Sequence, residues 1–493
     1  MTAQYLLEHL CPHGQAFPVH PITLVTEKAS LAHESSLFVC IRGARFDGHE
    51  LAAQAYGNGC RVFVAEHALA LPEDAFVLRV PSTRRALAIL ACAFYGHPTQ
   101  RMRIVGITGT KGKTTVAYML THILNAEGIP CGYIGTNGIF YPGTSRPTVN
   151  TTPDAITLQS TLREMLDAGV QTAVLEISSQ ALMQFRADGI TFSAVLFTNL
   201  FHDHISPNEH ASFEDYKACK QRLFGEFGAP LMICNGDDAA APEMLEVAKN
   251  CRKIICSLQD PRADYVADGL RRYCDRSTVG NSFTVTHQAQ NIPCRLPLLG
   301  GFNASNALLA MATAHQAFAV PLSRSAQHLS SIRVPGRGKL TALPNGAIAV
   351  IDYAHNGESL RSLLTSLREY RPSRLICLFG SVGERTQLRR RELGQVAAAL
   401  CDLCILTSDN PGKEPPEEII AEIAQAFAGT DTPYLSIPDR THAIHTAVQM
   451  TQPGDILVLA GKGHETYQLI GEEQIPFSEK EILQDAIRQV SPI

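Results

Sequence analysis

An apolar run, Arg103-Ile104-Val105-Gly106-Ile107-Thr108, leads directly into Gly109-Thr110-Lys111-Gly112-Lys113-Thr114-Thr115, and a helical pattern, VAYMLTHIL, follows at once. A strand must end there, a loop must turn with little side-chain bulk, and a helix must begin. The glycines let successive backbone N–H groups wrap a phosphate, and the helix N-terminus adds partial positive charge. Lys113 can neutralise phosphate oxygens and Thr114 can hold Mg²⁺. Gly109, Thr110, Lys111, Gly112 and Thr115 complete the candidate loop. Its spacing departs from the simple GxxxxGK[ST] pattern, because Ile107 stands where the first glycine belongs. Such a loop gives a nucleotide, not a reaction.

Six further runs share the character of 103–108: 172–178 (TAVLEIS), 193–198 (SAVLFT), 347–352 (AIAVID), 374–379 (RLICLF), 403–407 (LCILT) and 455–460 (DILVLA). Apolar on both faces and separated by helical patterns, they read as parallel strands of α/β layers. Chemistry then belongs just past their carboxyl ends. A polar, alternating stretch within 258–298 predicts a small antiparallel piece. At 493 residues the chain has room for about three domains. The blocks read as 1–98, 99–333 and 334–493, divided after Tyr95-Gly96-His97-Pro98 and before the Val334-Pro335-Gly336 turn.

The charge balance, 42 Lys+Arg against 47 Asp+Glu, leaves no basic excess for a nucleic-acid backbone or an acidic membrane. No apolar stretch reaches the ~18 residues needed to span a bilayer. The N-terminal MTAQYLLEHLCPHG lacks the basic start of a signal peptide. A cytoplasmic protein without membrane insertion is expected. The 14 cysteines are scattered through apolar runs and read as thiols of a reduced compartment. The one CxxC, Cys401 and Cys404, lacks a second pair at zinc spacing.

Unusual residues cluster after the strands. Glu176 lies inside an apolar strand, where a carboxylate must be paired or metal-bound. Asp203 and His204 follow the next strand. Glu176, Thr114 and His204 could share a Mg²⁺ shell, or form a hydrogen-bonded polar layer. On the helix after them, three of the four ±3 and ±4 neighbours of Lys220 are Tyr216, Leu223 and Phe224, so Lys220 faces inward. A buried ammonium must pair, lose its proton or be modified, unless its stem snorkels. In the last block, Ser408-Asp409-Asn410-Pro411-Gly412 and Gly461-Lys462-Gly463-His464-Glu465 follow strands and predict a pocket. Asp409 and Glu465 suit an amine. Arg390 suits a carboxylate, or belongs to a solvated charge run.

Together these motifs resemble the Mur ligases, and among them the MurE type, over nearly the whole chain and in order. GTKGKTT is similar to that family's GTxGKT[TS] loop. NTTPDA carries Thr151 and Thr152, the pair the family places near the muramoyl-peptide. EISSQALMQFR is similar to EVSSHxLxQxR and makes Ser178, Gln184 and Arg186 substrate-binding candidates, with Gln180 where His is usual. TNLFHDH resembles TNLxxDH. Lys220 falls where these enzymes carry a carbamylated lysine, which would make it a Mg²⁺-binding carbamate. GFNASNALLA supplies Asn303 and Asn306 for the nucleotide; VPGR gives Arg337, and IDYAHN gives Asp352 and His355. SLFVCIRGARFDGHEL resembles the uridine-binding stretch, with Gly43, Asp47, Gly48 and His49. Lys28-Ala29-Ser30 replaces the usual Asp-Ser-Arg, leaving Ser30 as a candidate.

The resemblance implies a three-domain α/β architecture: a UDP-binding block, a central P-loop ATPase and a Rossmann-like C-terminal block for the amino acid. It implies ATP and Mg²⁺ as cofactors. Lys113, Glu176, His204 and Lys220 then carry catalysis, with Thr114 among the metal ligands. The substrates would be UDP-N-acetylmuramoyl-L-alanyl-D-glutamate and a diamino acid, joined through an acyl phosphate on a monomer whose third domain closes. That places the chain in peptidoglycan precursor synthesis. Arg390, Asp409, Asn410, Gly461 and Glu465 would read the amino acid. Enzymes adding meso-diaminopimelate carry DNPR, whereas this chain has Gly412 in place of that Arg. L-lysine is therefore expected over the alternative, meso-diaminopimelate. The rival readings are a folylpolyglutamate-synthetase-like ligase and a non-catalytic nucleotide-binding partner of cell-wall enzymes.

Overall fold

Strands apolar on both faces need cover on both faces, and the chain supplies helices accordingly. The computed structural model describes residues 1–11, 16–43, 47–201, 210–274, 279–335, 339–383, 387–463 and 465–490. Its contacts divide into two compact units, Met1–Val266 with Asn306–Ser325, and Ala267–Ser305 with Ala326–Ile493.

The first unit opens with a four-stranded parallel sheet, Leu24–Thr26, Ser36–Val39, Val62–Ala65 and Phe76–Arg79, in sequential order. Alternate residues divide between two cores. Leu37, Val39, Val62 and Val64 pack with Leu6 and Leu90, while Phe38 and Phe63 face Ala52 and Ala55. The second sheet of this unit runs Arg252–Ser257, Leu231–Asn235, Ala194–Phe197, Arg103–Thr108, Thr172–Glu176, Cys131–Gly135, all parallel. Gly138–Tyr141 and Thr144–Arg146 extend it antiparallel. Arg103–Thr108 is central, with Ile107 level with Glu176 and Thr108 level with Phe197. Three adjacent strand ends therefore deliver the Gly-rich loop, Glu176 and Thr198-Asn199 to one edge. The helix Lys113–Ala126 starts at Gly112.

In the second unit the predicted antiparallel piece is a hairpin, Val279–His287 with Gln290–Leu296. The main sheet runs Lys339–Ala342, Ile348–Asp352, Ile456–Ala460, Leu375–Phe379, Leu403–Leu406, Tyr434–Ser436. It is parallel except for the first, edge strand. Val350, Cys377 and Val458 face one core, and Ile351, Leu378 and Leu459 the other. Asp352 and Gly461 stand at the carboxyl ends of adjacent strands, and Ser408 just past the end of a strand two places from Gly461's. A small hairpin, Tyr467–Ile470 with Glu473–Pro476, follows. No helix among the described residues is long and apolar enough to cross a membrane.

Candidate active site

The Gly-rich loop is fixed by its neighbours as well as by its glycines. Gly109 has φ +151° and Gly112 φ +87°. A Cβ on Gly109 would lie 1.9 Å from Thr198 Oγ1, and one on Gly112 2.6 Å from Asn306 Oδ1. Asn199 accepts from the Lys111 N–H at 2.8 Å and donates to the Lys111 carbonyl at 3.0 Å. Tyr216 donates to Thr110 Oγ1 at 3.0 Å. Lys113 donates to the Gly109 and Thr110 carbonyls at 2.8 and 3.0 Å. Thr198, Asn199 and Tyr216 are supports that the sequence reading did not single out, because only the fold brings them to the loop.

Glu176 is fully buried. Its carboxylate accepts from Thr114 Oγ1 at 2.9 Å, Tyr133 OH at 2.5 Å, Thr136 N at 3.0 Å and Thr136 Oγ1 at 3.2 Å. Burial and the Glu176 charge push the Tyr133 phenol far up, so it stays a donor. Lys220 is 1% exposed, as its neighbours predicted. Its Nζ donates to the Gly109 carbonyl at 3.0 Å and lies 4.4 Å from the Tyr216 ring centroid.

Hard oxygen donors such as Thr114 and Glu176 suit Mg²⁺, and their 2.9 Å contact places both beside the phosphate-binding loop. Lys220 as an ammonium has no lone pair to offer a cation; a carbamate would. His204 and Arg337 lie outside the described residues.

A cavity of about 270 Å³ opens beside the loop, lined by Lys113, Thr151, Ser178, Gln180, His210 and Lys220 among others. Thr151 Oγ1 is 3.1 Å from Thr136 Oγ1. Thr152 is buried, donates to the Glu176 carbonyl at 2.7 Å and accepts from Ser178 N at 3.0 Å. Ser178 caps the helix Ser179–Met183. Arg186 donates to the Thr152 carbonyl at 2.8 Å and to Gln184 Oε1 at 2.7 Å. The fold thus gathers Thr151, Thr152, Ser178, Gln184 and Arg186.

In the N-terminal sheet region, Asp47 caps Gly48–Leu51. A Cβ on Gly48 would meet the Ile41 carbonyl oxygen at 2.6 Å. Both His49 ring nitrogens are engaged: Nδ1 with Asp47 Oδ1 at 2.5 Å, Nε2 with the Glu66 N–H at 3.0 Å. His49 therefore braces this loop and can offer a ligand its ring rather than a nitrogen. Ser30 sits on the short helix Ala29–Leu31, where it is exposed, as is Gly43.

In the second unit Asn410 Nδ2 donates to Glu465 Oε2 at 3.1 Å. Lys462, fully buried, donates to Asn410 Oδ1 at 2.7 Å and Glu465 Oε2 at 2.9 Å, and lies 3.6 Å from Asp409 Oδ1. Asp409 and Glu465, expected to meet an amine, thus already share an internal ammonium. A Cβ on Gly461 would lie 2.7 Å from Asp409 Oδ2. Arg390 is buried, not part of a solvated charge run, and pairs with Glu414 and, at 2.9 Å, with Glu422. The two carboxylates engage Nη1 and Nη2, while Nε is buried without a hydrogen-bond partner among the described residues. Asp352 Oδ1 accepts from Ala354 N at 3.0 Å, and His355 Nδ1 is 2.8 Å from the Tyr353 carbonyl. Asn303 donates to the Leu299 carbonyl at 2.6 Å.

Gly412 has φ +58°, its N–H donates to the Leu469 carbonyl at 3.1 Å and its carbonyl accepts from Gly471 N at 2.7 Å. Glycine there meets a left-handed backbone that an Arg would strain. The turn gives a local reason for a glycine at this position. Lys413 is an exposed side chain paired with Glu472 at 2.6 Å.

Family models match residues 21–95 (Mur ligase family, catalytic domain), 107–314 (Mur ligase middle domain) and 336–463 (Mur ligase, glutamate ligase domain). The chain is 34% identical to the UDP-N-acetylmuramoyl-L-alanyl-D-glutamate–2,6-diaminopimelate ligase of Geobacillus thermodenitrificans, over 92% of each chain. It is 35% identical to the protein of the same name from Caldanaerobacter subterraneus, again over 92% of each. A solved structure of a ligase of that name aligns over 99% of both chains, with a TM-score of 0.78 and 28% identity. The expectation of L-lysine finds no support among these relatives, whose names specify diaminopimelate; the alternative is the better supported.

Proposed function

Because this chain belongs to the Mur ligase family, we propose that it joins meso-diaminopimelate to the D-glutamate of UDP-N-acetylmuramoyl-L-alanyl-D-glutamate, at the expense of ATP. The observation that carries this is the cavity in which Lys113 of the nucleotide loop and Lys220 meet Thr151, Ser178 and Gln180 of the substrate motifs. A phosphate donor and a carboxylate acceptor need such a shared, cation-lined space. The names of relatives at 34% and 35% identity support the choice of substrates.

ATP phosphorylates the D-glutamate γ-carboxylate, and the amine of the diamino acid attacks the acyl phosphate. In this reading Lys113 leaves the Gly109 and Thr110 carbonyls for phosphate oxygens and stabilises the transferring charge. Mg²⁺, when bound by Thr114, Glu176, His204 and carbamylated Lys220, would neutralise phosphate charge. Thr198 and Asn199 brace the loop, Thr198 at the Lys111 carbonyl and Asn199 at the Thr110 and Lys111 N–H groups. Gly109, Thr110, Lys111, Gly112, Thr115, Asn303, Asn306, Arg337, Asp352 and His355 form our nucleotide set. Arg390, Asp409, Asn410, Gly461 and Glu465 form the amino-acid set, with Lys462 added. The functional blocks 1–98, 99–333 and 334–493 are supported by the spans of the three family models.

The test is a panel of amino acids supplied with the UDP-dipeptide and ATP, with products weighed by mass spectrometry. A tripeptide product with diaminopimelate supports the proposal. ATP turnover without any peptide product would reject it in favour of a different acceptor.

A further inference from the structure

One group in the cavity plays no part in the reaction as written above. His210, 1% exposed, lies just before Ser212, the N-cap of helix Phe213–Gly225. Its Nδ1 is 3.0 Å from Asp215 Oδ2, and its ring packs on Tyr216 with centroids 5.1 Å apart. Nε2, on the other side of the ring, is buried and has no hydrogen-bond partner among the described residues. A buried polar nitrogen left unpaired is costly, and such atoms in a native fold point to an absent ligand. Rotating the ring to relieve it would forfeit the Asp215 contact. His210 also lines the cavity with Lys113, Lys220, Thr151, Ser178 and Gln180. Among the described residues, two lysines and several neutral polar groups line that cavity, and no carboxylate does. The lining selects an anion.

We propose that His210 is a further catalytic residue, whose Nε2–H donates a hydrogen bond to an anionic oxygen held in this cavity. Asp215 is its positioning residue: it accepts the Nδ1–H and fixes the ring. The identity of the anion, the D-glutamyl acyl phosphate, rests on the function proposed above; the anion contact itself rests on the cavity. When the amine nitrogen bonds to the acyl carbon, the C–O bond to phosphate breaks and its electron pair leaves on phosphate. The amine proton passes to water. Nε2–H then faces oxygen on which negative charge gathers.

His210→Leu removes the donor, whereas His210→Gln retains an N–H on a side chain of similar reach. Removing one preorganised donor from a developing anion typically costs about 10²-fold in kcat. That loss is expected for His210→Leu, with the KM for ATP little changed, and His210→Gln should recover much of it. Asp215→Ala should show a smaller kcat loss. A folded His210→Leu enzyme with wild-type kcat would overturn the proposal. If that variant does not fold, ¹⁵N-histidine NMR of the wild-type chain titrated with inorganic phosphate decides. The His210 Nε2 resonance should move toward the protonated, hydrogen-bonded range; no change at saturating phosphate overturns the contact. A wild-type chain that makes no tripeptide yet shows the shift would sink the proposed substrate and leave the anion contact standing.

Discussion

Arg440 and Glu479 form an ion pair from which water is excluded, with side chains 0% and 1% exposed and Nη2 2.7 Å from Oε1. The same guanidinium donates to the Ser408 carbonyl at 2.9 Å and the Ala460 carbonyl at 2.8 Å. Those carbonyls end the strands that lead into Asp409-Asn410 and Gly461–Glu465. One buried cation thus ties together the two loops of the proposed amino-acid site. Burial pushes the Glu479 carboxyl up, and Arg440 pulls against it. Removing one partner of such a pair leaves a buried charge without compensation, which typically costs about 3–5 kcal/mol. Glu479→Ala should lose stability of that order in urea unfolding, and Glu479→Gln less. Equal midpoints for Glu479→Ala and wild type would deny the pair its role.

Lys462 holds Asn410 and Glu465 in one geometry. Lys462→Met leaves Asp409 and Glu465 facing each other without a shared cation. Its KM for the amino acid should rise at least tenfold, about 1.4 kcal/mol of lost binding, while the KM for ATP stays put. A change confined to the ATP constant would contradict the assignment.

Glu176→Gln keeps the shape but turns an acceptor into a donor among Thr114, Tyr133 and Thr136, all of which donate to it. Each buried donor left unpaired costs roughly 1–3 kcal/mol. The variant should melt at a lower temperature and lose nearly all phosphoryl transfer. Retention of both properties would remove Glu176 from the site.

Asp47 is held below the usual carboxylate range by the His49 backbone N–H and then by the His49 side chain. A lowered carboxyl adds stability that is present above its unfolded value and is lost as pH falls through its folded value. Asp47→Asn should therefore be less stable than wild type at pH 7. The gap in urea midpoint should close on acidification below about pH 4. A gap that widens in acid would reverse the sign and reject this reading.

The strand ends were legible because burial on both faces leaves a local trace: all seven predicted runs are strands, from Arg103–Thr108 to Ile456–Ala460. Other parallel strands were not picked out, these three among them. Cys131–Gly135 is glycine-rich, Arg252–Ser257 opens on two charges, and Leu231–Asn235 is short. Lys220 was legible as inward-facing from its helical neighbours, but not its bond to the Gly109 carbonyl. Arg390, Lys462 and Arg440 show the limit most plainly. Each is an ordinary cation in the sequence, and its fate depends on partners 32, 52 and 39 residues away. Gly412 looked like a missing Arg because a left-handed turn has no signature beyond the glycine itself.

The central claim is tested most directly by kcat/KM for meso-diaminopimelate and for L-lysine, with saturating UDP-N-acetylmuramoyl-L-alanyl-D-glutamate and ATP and phosphate release as readout. The relatives named for diaminopimelate lead us to expect that amino acid to be favoured by at least about tenfold. A ratio of tenfold or more toward lysine would contradict the account and return the missing Arg at position 412 to the centre of the problem.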